Sequence, residues 1–166
     1  MVPKKTAPVA VVMGSDSDMD VMKSCIKQLG DFGIEPIVRI ISAHRTPKIA
    51  SEFAQNAAQS GIKVIIAAAG MAAHLAGAMA AQTTLPVIGV PIESGRLGGI
   101  DALLSTVQMP PGVPVATTTI GKAGAKNAAI LAVQILALSD DTLFEKLSEF
   151  KQEQEQKVIK KDSKLQ

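Results

Sequence analysis

Five short apolar runs alternate along this chain with segments of helical period, and this alternation limits the choice of fold more than any other feature. The runs span residues 8–13, 36–41, 63–69, 86–90 and 114–118. Continuous runs of this length that are rich in β-branched residues are typical of parallel strands covered on both faces. With right-handed crossovers, they predict an α/β fold: a three-layer αβα sandwich around a five-stranded parallel sheet.

Six helices are predicted between and after the strands. Thr46 followed by Pro47 predicts a helix start with threonine as the N-cap, and Gly30 and Gly33 are interpreted as stop signals for the first helix. The predicted helices span residues 18–29, 47–59, 73–82, 101–107, 123–138 and 140–159.

The length of 166 residues fits one compact catalytic domain, which we assign to residues 1–139, followed by a C-terminal helix and polar tail over residues 140–166. Because five strands complete a core without this last segment, we expect it to pack on a neighbouring subunit. An apolar fraction of 47% with only 2% aromatic residues also indicates surface that is buried between copies of the chain.

The composition argues against several classes of function. A net charge of +2 with scattered basic residues offers no patch for nucleic acid, and no apolar stretch is long enough to cross a membrane. The single cysteine, Cys25, excludes a disulfide framework and agrees with a reducing, cytoplasmic location. Two histidines without paired cysteines do not form a metal site, so we expect no metal.

Polar side chains follow the predicted strands at the sheet edge where an open parallel sheet binds its ligand. His44 and His74 are the histidines able to move a proton near neutral pH, and His44 is the stronger candidate because a serine and an arginine flank it. Asp18 is expected to accept hydrogen bonds from sugar hydroxyls. The residues expected to hold a phosphate are Ser15, Ser17, Ser42 and Arg45.

Each of these residues also has a purely structural interpretation. Ser15, Ser17 and Asp18 could serve only as helix caps, Arg45 could be a surface residue, and the histidines could support loops. The Ala/Gly-rich stretch over residues 67–81 could reflect only tight helix packing. A binding site is favoured because all of these residues fall at neighbouring strand ends of one predicted topology.

Several motifs resemble the family of N5-carboxyaminoimidazole ribonucleotide mutases, the class I enzymes of purine biosynthesis. The motifs are GSDSD, SAHRTP, AAHL, LPVIGVP, LLSTVQMPPGVPVAT and IGKAGAKNAA, within residues 9–138. The resemblance implies a flavodoxin-like subunit, a homo-octamer and no cofactor. It also implies isomerisation to 4-carboxy-5-aminoimidazole ribonucleotide, which we expect to proceed by decarboxylation and recarboxylation with a histidine as proton shuttle.

The resemblance places the catalytic histidine on His44 and a second histidine on His74. Segments matching residues 94–99 and 108–110 lie around subunit contacts and the pocket mouth in the family. The substrate-binding residues are expected to be Ser15, Ser17, Asp18, Ser42, Ala43, Arg45, Gly70, Met71, Ala72, His74 and Leu75.

The loop after the third strand departs from the family pattern, in which Ala68 and Met71 are glycines, Ala76 is proline and Ala78 is methionine. Met71 matters most, because a side chain there could narrow the pocket or strain a backbone that glycine would relax. A second interpretation is that Met71 fills the space left by the alanine at position 78.

Three other functions share features with the predicted mutase. A receiver-like signalling module needs an aspartate at the end of the third strand, where this chain has Ala69 and Gly70. A non-catalytic nucleotide-binding or flavin-binding module shares the fold, but flavins usually stack on Trp or Tyr, which this chain lacks. A class II-type enzyme would carboxylate aminoimidazole ribonucleotide directly with CO2, and the AAHL motif favours the mutase.

Overall fold

A fully parallel sheet of five strands forms the centre of the computed structural model, which describes residues 7–165. The strands are β1 (Val9–Met13), β2 (Ile37–Ile40), β3 (Val64–Gly70), β4 (Val87–Ile92) and β5 (Ala116–Thr117). Their order across the sheet is β2-β1-β3-β4-β5, the order of flavodoxin-like proteins. The predicted three-layer fold is thereby confirmed.

Six α-helices cover the two faces of the sheet. They are α1 (Met19–Asp31), α2 (Pro47–Asn56), α3 (Leu75–Ala80), α4 (Ile100–Val107), α5 (Gly121–Ala137) and α6 (Asp141–Asp162). Helices α1 and α5 pack on one face, whereas α2, α3 and α4 lie on the other. Successive strand residues point to opposite faces, so Val11 joins the α1/α5 core and Val12 joins the α2/α3 core.

The structure corrects the local signals predicted at two helix ends, and it also ends α2 at Asn56 rather than at residue 59. Gly30 does not stop α1, which continues to Asp31; Gly33 is the glycine in the left-handed conformation (φ 83°). The N–H of Ile34 donates to the carbonyl of Leu29 at 3.0 Å, a pattern that satisfies the last carbonyls of a helix. Thr46 precedes α2 as expected but does not cap it with its side chain, because its Oγ1 is bonded to the backbone of Ser42 instead.

Strand β4 extends two residues beyond its predicted end, through Pro91 to Ile92. Proline cannot donate to a neighbouring strand, so it is tolerated only where one side of the strand is unpaired. That condition holds because β5 has two residues and pairs only with Ile88 and Gly89. The short β5 therefore leaves the end of β4 free to reach the edge where the polar loops lie.

Helix α6 packs on its own chain over its first half, whereas the expected packing of residues 140–166 on a neighbouring subunit stays a prediction. Leu143 and Leu147 are each 8% exposed and belong to the α1/α5 core. Lys146 Nζ donates to the carbonyl of Phe32 at 3.0 Å, and the rings of Phe32 and Phe150 meet edge to face at 5.4 Å. The second half of α6, residues 151–162, is exposed. None of the helices within residues 7–165 is both long and apolar enough to cross a membrane.

Candidate functional site

A cavity of about 410 Å³ opens at the carboxyl edge of the sheet, at the ends of β1, β2, β3 and β4. All twelve residues predicted to bind substrate or catalyse the reaction line this cavity. Three further lining residues, Gly14, Ala69 and Ser94, were not among them. The predicted residues that line it are Ser15, Ser17, Asp18, Ser42, Ala43, His44, Arg45, Gly70, Met71, Ala72, His74 and Leu75.

The loop after β1 is ordered by a capping box. The Ser15 side chain accepts from the N–H of Ser17 at 3.4 Å, and Asp18 Oδ2 accepts from the N–H of Ser15 at 3.1 Å. These bonds hold a single 3₁₀ turn over Asp16–Asp18 ahead of α1. The structural interpretation of Ser15 and Asp18 as caps is therefore correct, and the same bonds fix the two side chains at the cavity wall.

Asp18 is the one charged residue of the loop that is buried, with 6% of its surface exposed. Burial raises the pKa of its carboxyl above the ordinary value, despite opposing hydrogen bonds from Ser15 and Ser17. A carboxylate has about four acceptor sites, so the bonds from the Ser15 N–H and the Ser17 hydroxyl leave room for others. Asp18 is thus positioned to accept hydrogen bonds from a ligand.

Arg45 joins the loop after β2 to the loop after β1. Its Nη2 donates to the carbonyl of Gly14 at 2.9 Å, while its backbone N–H donates to Ser42 Oγ at 3.1 Å. A guanidinium carries five donors in one plane, so this contact leaves donors for an anion. Within residues 7–165 no carboxylate forms an ion pair with Arg45.

The two histidines meet across the cavity, a contact that nothing in the sequence indicates. His44 Nε2 lies 2.8 Å from His74 Nδ1, and the rings are 5.0 Å apart at an interplanar angle of 80°. His44 follows β2 and His74 precedes α3, so 30 residues separate them in sequence. A bond of this length needs one nitrogen as donor and the other as acceptor, so the pair shares a single proton along it.

Met71 adopts the left-handed conformation that the family's glycine would favour. Its φ is 55°, and it is the one non-glycine residue among residues 7–165 with a positive φ. Its side chain is 61% exposed at the cavity, so it does not fill a gap left by Ala78. An L-residue adopts this conformation at a free-energy cost, so the positive φ agrees with the interpretation that Met71 strains the loop.

Ser105 of α4 holds the strained loop in place. Its hydroxyl accepts from the N–H of Ala73 at 2.9 Å and donates to the carbonyl of Asp101 at 2.7 Å. Sequence reasoning missed Ser105 because a serine within a helix carries no sign of its tertiary partner. Ser94 was not among the predicted substrate-binding residues, although the family resemblance places the segment 94–99 around subunit contacts and the pocket mouth.

A model of the AIR carboxylase family matches residues 8–157 of the chain. The N5-carboxyaminoimidazole ribonucleotide mutase of Bacillus subtilis is 52% identical over 157 residues, which cover 95% of this chain and 97% of the relative. The protein of the same name from Pyrococcus abyssi is 54% identical over 87% of this chain and 82% of its own length.

Solved structures agree with these sequence relatives. PurE of Treponema denticola superposes with a TM-score of 0.85 at 33% sequence identity and covers 95% of this chain and 98% of its own. The flavodoxin-like fold, the family match over most of the chain and the relatives above 50% identity all lead to one assignment. The chain belongs to the AIR carboxylase family.

Proposed function

We propose that this protein is an N5-carboxyaminoimidazole ribonucleotide mutase that converts its substrate into 4-carboxy-5-aminoimidazole ribonucleotide. The observation that carries the proposal is the His44–His74 pair, which lies in the same cavity as Arg45 and Asp18. The relatives at 52% and 54% identity bear the mutase name, which supports the isomerase over other members of the AIR carboxylase family.

The substrate's phosphate binds at the end of the cavity formed by the loops after β1 and β2. Arg45 supplies the charge there, and Ser15, Ser17 and Ser42 supply hydroxyls. Asp18 accepts hydrogen bonds from the ribose. Arg45 and Asp18 thus serve separate groups of the nucleotide, since a buried carboxylate would repel a phosphate placed directly against it.

The first chemical step is decarboxylation with proton transfer. Protonated His44 gives its proton to the exocyclic nitrogen of the substrate, and the bond between that nitrogen and the carboxylate carbon breaks. CO2 forms and the bonding electrons stay on nitrogen, which becomes the neutral amine. Neutral His44 remains beside the ring, ready to accept a proton.

The second step returns the CO2 to carbon. Electrons of the amino-substituted ring form a bond from C4 to the CO2 carbon, which leaves a cationic ring with both hydrogen and carboxylate on C4. His44 then removes the C4 proton, which restores the aromatic ring and the protonated imidazole. The proton count is balanced, so one imidazole serves both halves and no other reactant is consumed.

His74 positions His44 for both steps. When His44 carries the proton on Nε2, neutral His74 accepts that hydrogen through Nδ1 over the 2.8 Å contact. Two cationic rings would place two N–H donors face to face, so this contact disfavours a pair in which both rings are protonated. His74 therefore holds the His44 ring in place without itself touching the reacting atoms.

The loop after β3, which carries Met71 and His74, is called the third loop. The cavity wall near this loop suits a transient CO2 molecule. It is lined by Ala69, Gly70 and Ala72, whose small side chains present no nucleophile. CO2 that escaped to water would be lost to the second step, so a small apolar wall keeps it next to C4.

The proposal is tested by supplying two ribonucleotides separately and following the absorbance of the product. N5-carboxyaminoimidazole ribonucleotide should be converted without added bicarbonate. Aminoimidazole ribonucleotide with bicarbonate should give no conversion above the uncatalysed rate. Turnover of the second mixture alone would instead establish the class II-type carboxylase, and turnover of neither would refute both enzymes.

The proposed enzyme works as a homo-oligomer in the cytoplasm, and the resemblance to the mutase family suggests an octamer. An apolar stripe on α4 supports an oligomer, since Ile100, Leu104 and Val107 recur at helical spacing and are each about half exposed. The exposed second half of α6 is a further candidate contact. The single cysteine, which is free and buried, agrees with a reducing compartment.

Light scattering at micromolar concentration tests the assembly. We expect a mass close to eight times that of one chain, and a double substitution of Leu104 and Val107 to Glu should reduce it. A monomer mass for the unsubstituted protein would refute the assembly while leaving the proposed reaction open to its own test.

A further inference from the structure

Ser94 has a buried hydroxyl without a partner at the wall of the proposed active site. It follows the end of β4 and lines the cavity beside the third loop. Among residues 7–165, its Oγ is the one buried side-chain nitrogen or oxygen that forms no hydrogen bond. Leaving a buried hydroxyl unpaired destabilises a protein, so such a group calls for a functional explanation.

Ser94 and Arg45 lie at opposite ends of the cavity. Arg45 follows β2 and contacts Gly14 after β1, whereas Ser94 follows β4. Neighbouring strands are about 4.8 Å apart, so the three intervals from β2 to β4 span about 14 Å along the edge. A nucleotide whose phosphate binds at Arg45 therefore directs its base toward Ser94.

Gly70 brings the Ser94 side chain against the third loop. A Cβ at position 70 would collide with Ser94 Oγ and would lie 3.2 Å from the carbonyl oxygen of Ile92. Because Gly70 has no side chain, the Ser94 hydroxyl packs directly against the third loop. The neighbouring wall consists of Ala69, Gly70 and Ala72, which offer no side-chain donor.

We propose that the Ser94 hydroxyl donates a hydrogen bond to the carboxylate carried by the aminoimidazole base. This inference rests on the proposed mutase function. A carboxylate accepts hydrogen bonds and is costly to bury without a donor, and Ala69, Gly70 and Ala72 provide no side-chain donor. Ser94 is therefore a specificity-determining contact that distinguishes a carboxylated base from the same base without its carboxylate.

The test is the variant Ser94→Ala, with affinities measured calorimetrically for 4-carboxy-5-aminoimidazole ribonucleotide and for aminoimidazole ribonucleotide. Loss of a hydrogen bond to a charged group should weaken binding of the carboxylated ligand by about ten- to a hundredfold. Binding of the uncarboxylated ligand should change less than about twofold. The Tm of the ligand-free variant should equal or exceed that of wild type, because the variant removes an unpaired hydroxyl.

Ser60→Ala is the matched control, since Ser60 lies after α2 at the opposite edge of the sheet and its hydroxyl donates to the carbonyl of Asn56. It should leave both affinities unchanged. An equal loss for both ligands, or no loss, would overturn the carboxylate contact, and a lower Tm with weaker binding of both would indicate a structural role instead. A wild-type protein that binds neither ribonucleotide would refute the mutase function and the contact with it.

Discussion

Replacing Met71 separates the strain in the third loop from the packing of its side chain. Met71 has a φ of 55° at the start of the loop that carries His74. Glycine adopts this conformation without penalty, whereas alanine and methionine do not. Met71→Ala removes the side chain beyond Cβ and Met71→Gly removes Cβ as well. Because Met71 is 61% exposed, the difference between the two variants reports mainly the backbone.

The magnitude follows from two opposing terms. The left-handed conformation costs an L-residue about 1–2 kcal/mol, and that cost disappears in Met71→Gly. Glycine also makes the unfolded chain more flexible, which costs about 0.4–1 kcal/mol relative to alanine. We therefore expect Met71→Gly to be more stable than Met71→Ala by about 0.8 kcal/mol, which corresponds to a Tm difference of about 2–3 °C for a chain of this length.

Differential scanning calorimetry of the ligand-free variants tests this difference. All variants are compared at one protein concentration, because the Tm of an oligomer depends on concentration. Ala78→Gly is the control: position 78 lies inside α3, where glycine should instead destabilise by about 0.5–1 kcal/mol. Equal stability of Met71→Ala and Met71→Gly would contradict backbone strain at position 71, provided that Ala78→Gly is destabilised as expected.

Three further predictions concern the polar residues of the cavity. Arg45→Ala should raise KM by about 10- to 150-fold, because a charge-assisted bond to phosphate contributes about 1.5–3 kcal/mol; an unchanged KM would remove the phosphate role. His44→Asn should lower kcat by about two to four orders of magnitude, and His74→Asn should lower it less, so a larger loss for His74→Asn would reverse the assignment of the proton carrier. Burial raises the pKa of Asp18 above 3.8, so its charge destabilises the ligand-free protein as the pH rises through the folded value. Asp18→Asn should therefore raise Tm at pH 7 and lose that advantage below pH 3.8, and a Tm gain that is constant with pH would contradict this account.

The sequence predicted the central strands well because β1, β3 and β4 are buried along most of their length, whereas the edge strands β2 and β5 are largely exposed. Each central strand is then a short continuous apolar run, and such a run is visible without any knowledge of its neighbours. The helix ends were harder to predict. Gly30 and Thr46 carry local signals for a stop and a cap, yet Gly30 continues α1 and Thr46 bonds to Ser42. Neighbouring structure outweighed local preference at both positions.

The sequence also predicted which loops form the cavity. Ser15, Asp18, His44 and Arg45 each follow a strand of a parallel sheet, and the carboxyl ends of such strands must share one edge. The order of strands and loops is therefore enough to predict which residues line the cavity, whatever the orientation of their side chains.

Contacts between distant segments were decided only in three dimensions. The 2.8 Å contact of His44 with His74 and the bond from Ala73 to Ser105 join different crossover units. The Ser94 hydroxyl likewise lies against Gly70 of another unit, without a hydrogen-bond partner. The sequence of α6 likewise shows a helical pattern. Its position on the α1/α5 core, however, involves a hydrogen bond from Lys146 to the carbonyl of Phe32, which lies 114 residues away in sequence. Periodicity and residue type were sufficient to predict the strands and the kinds of polar residue that follow them. Which side chains meet depended on packing, because a contact between crossover units requires both units to be in place.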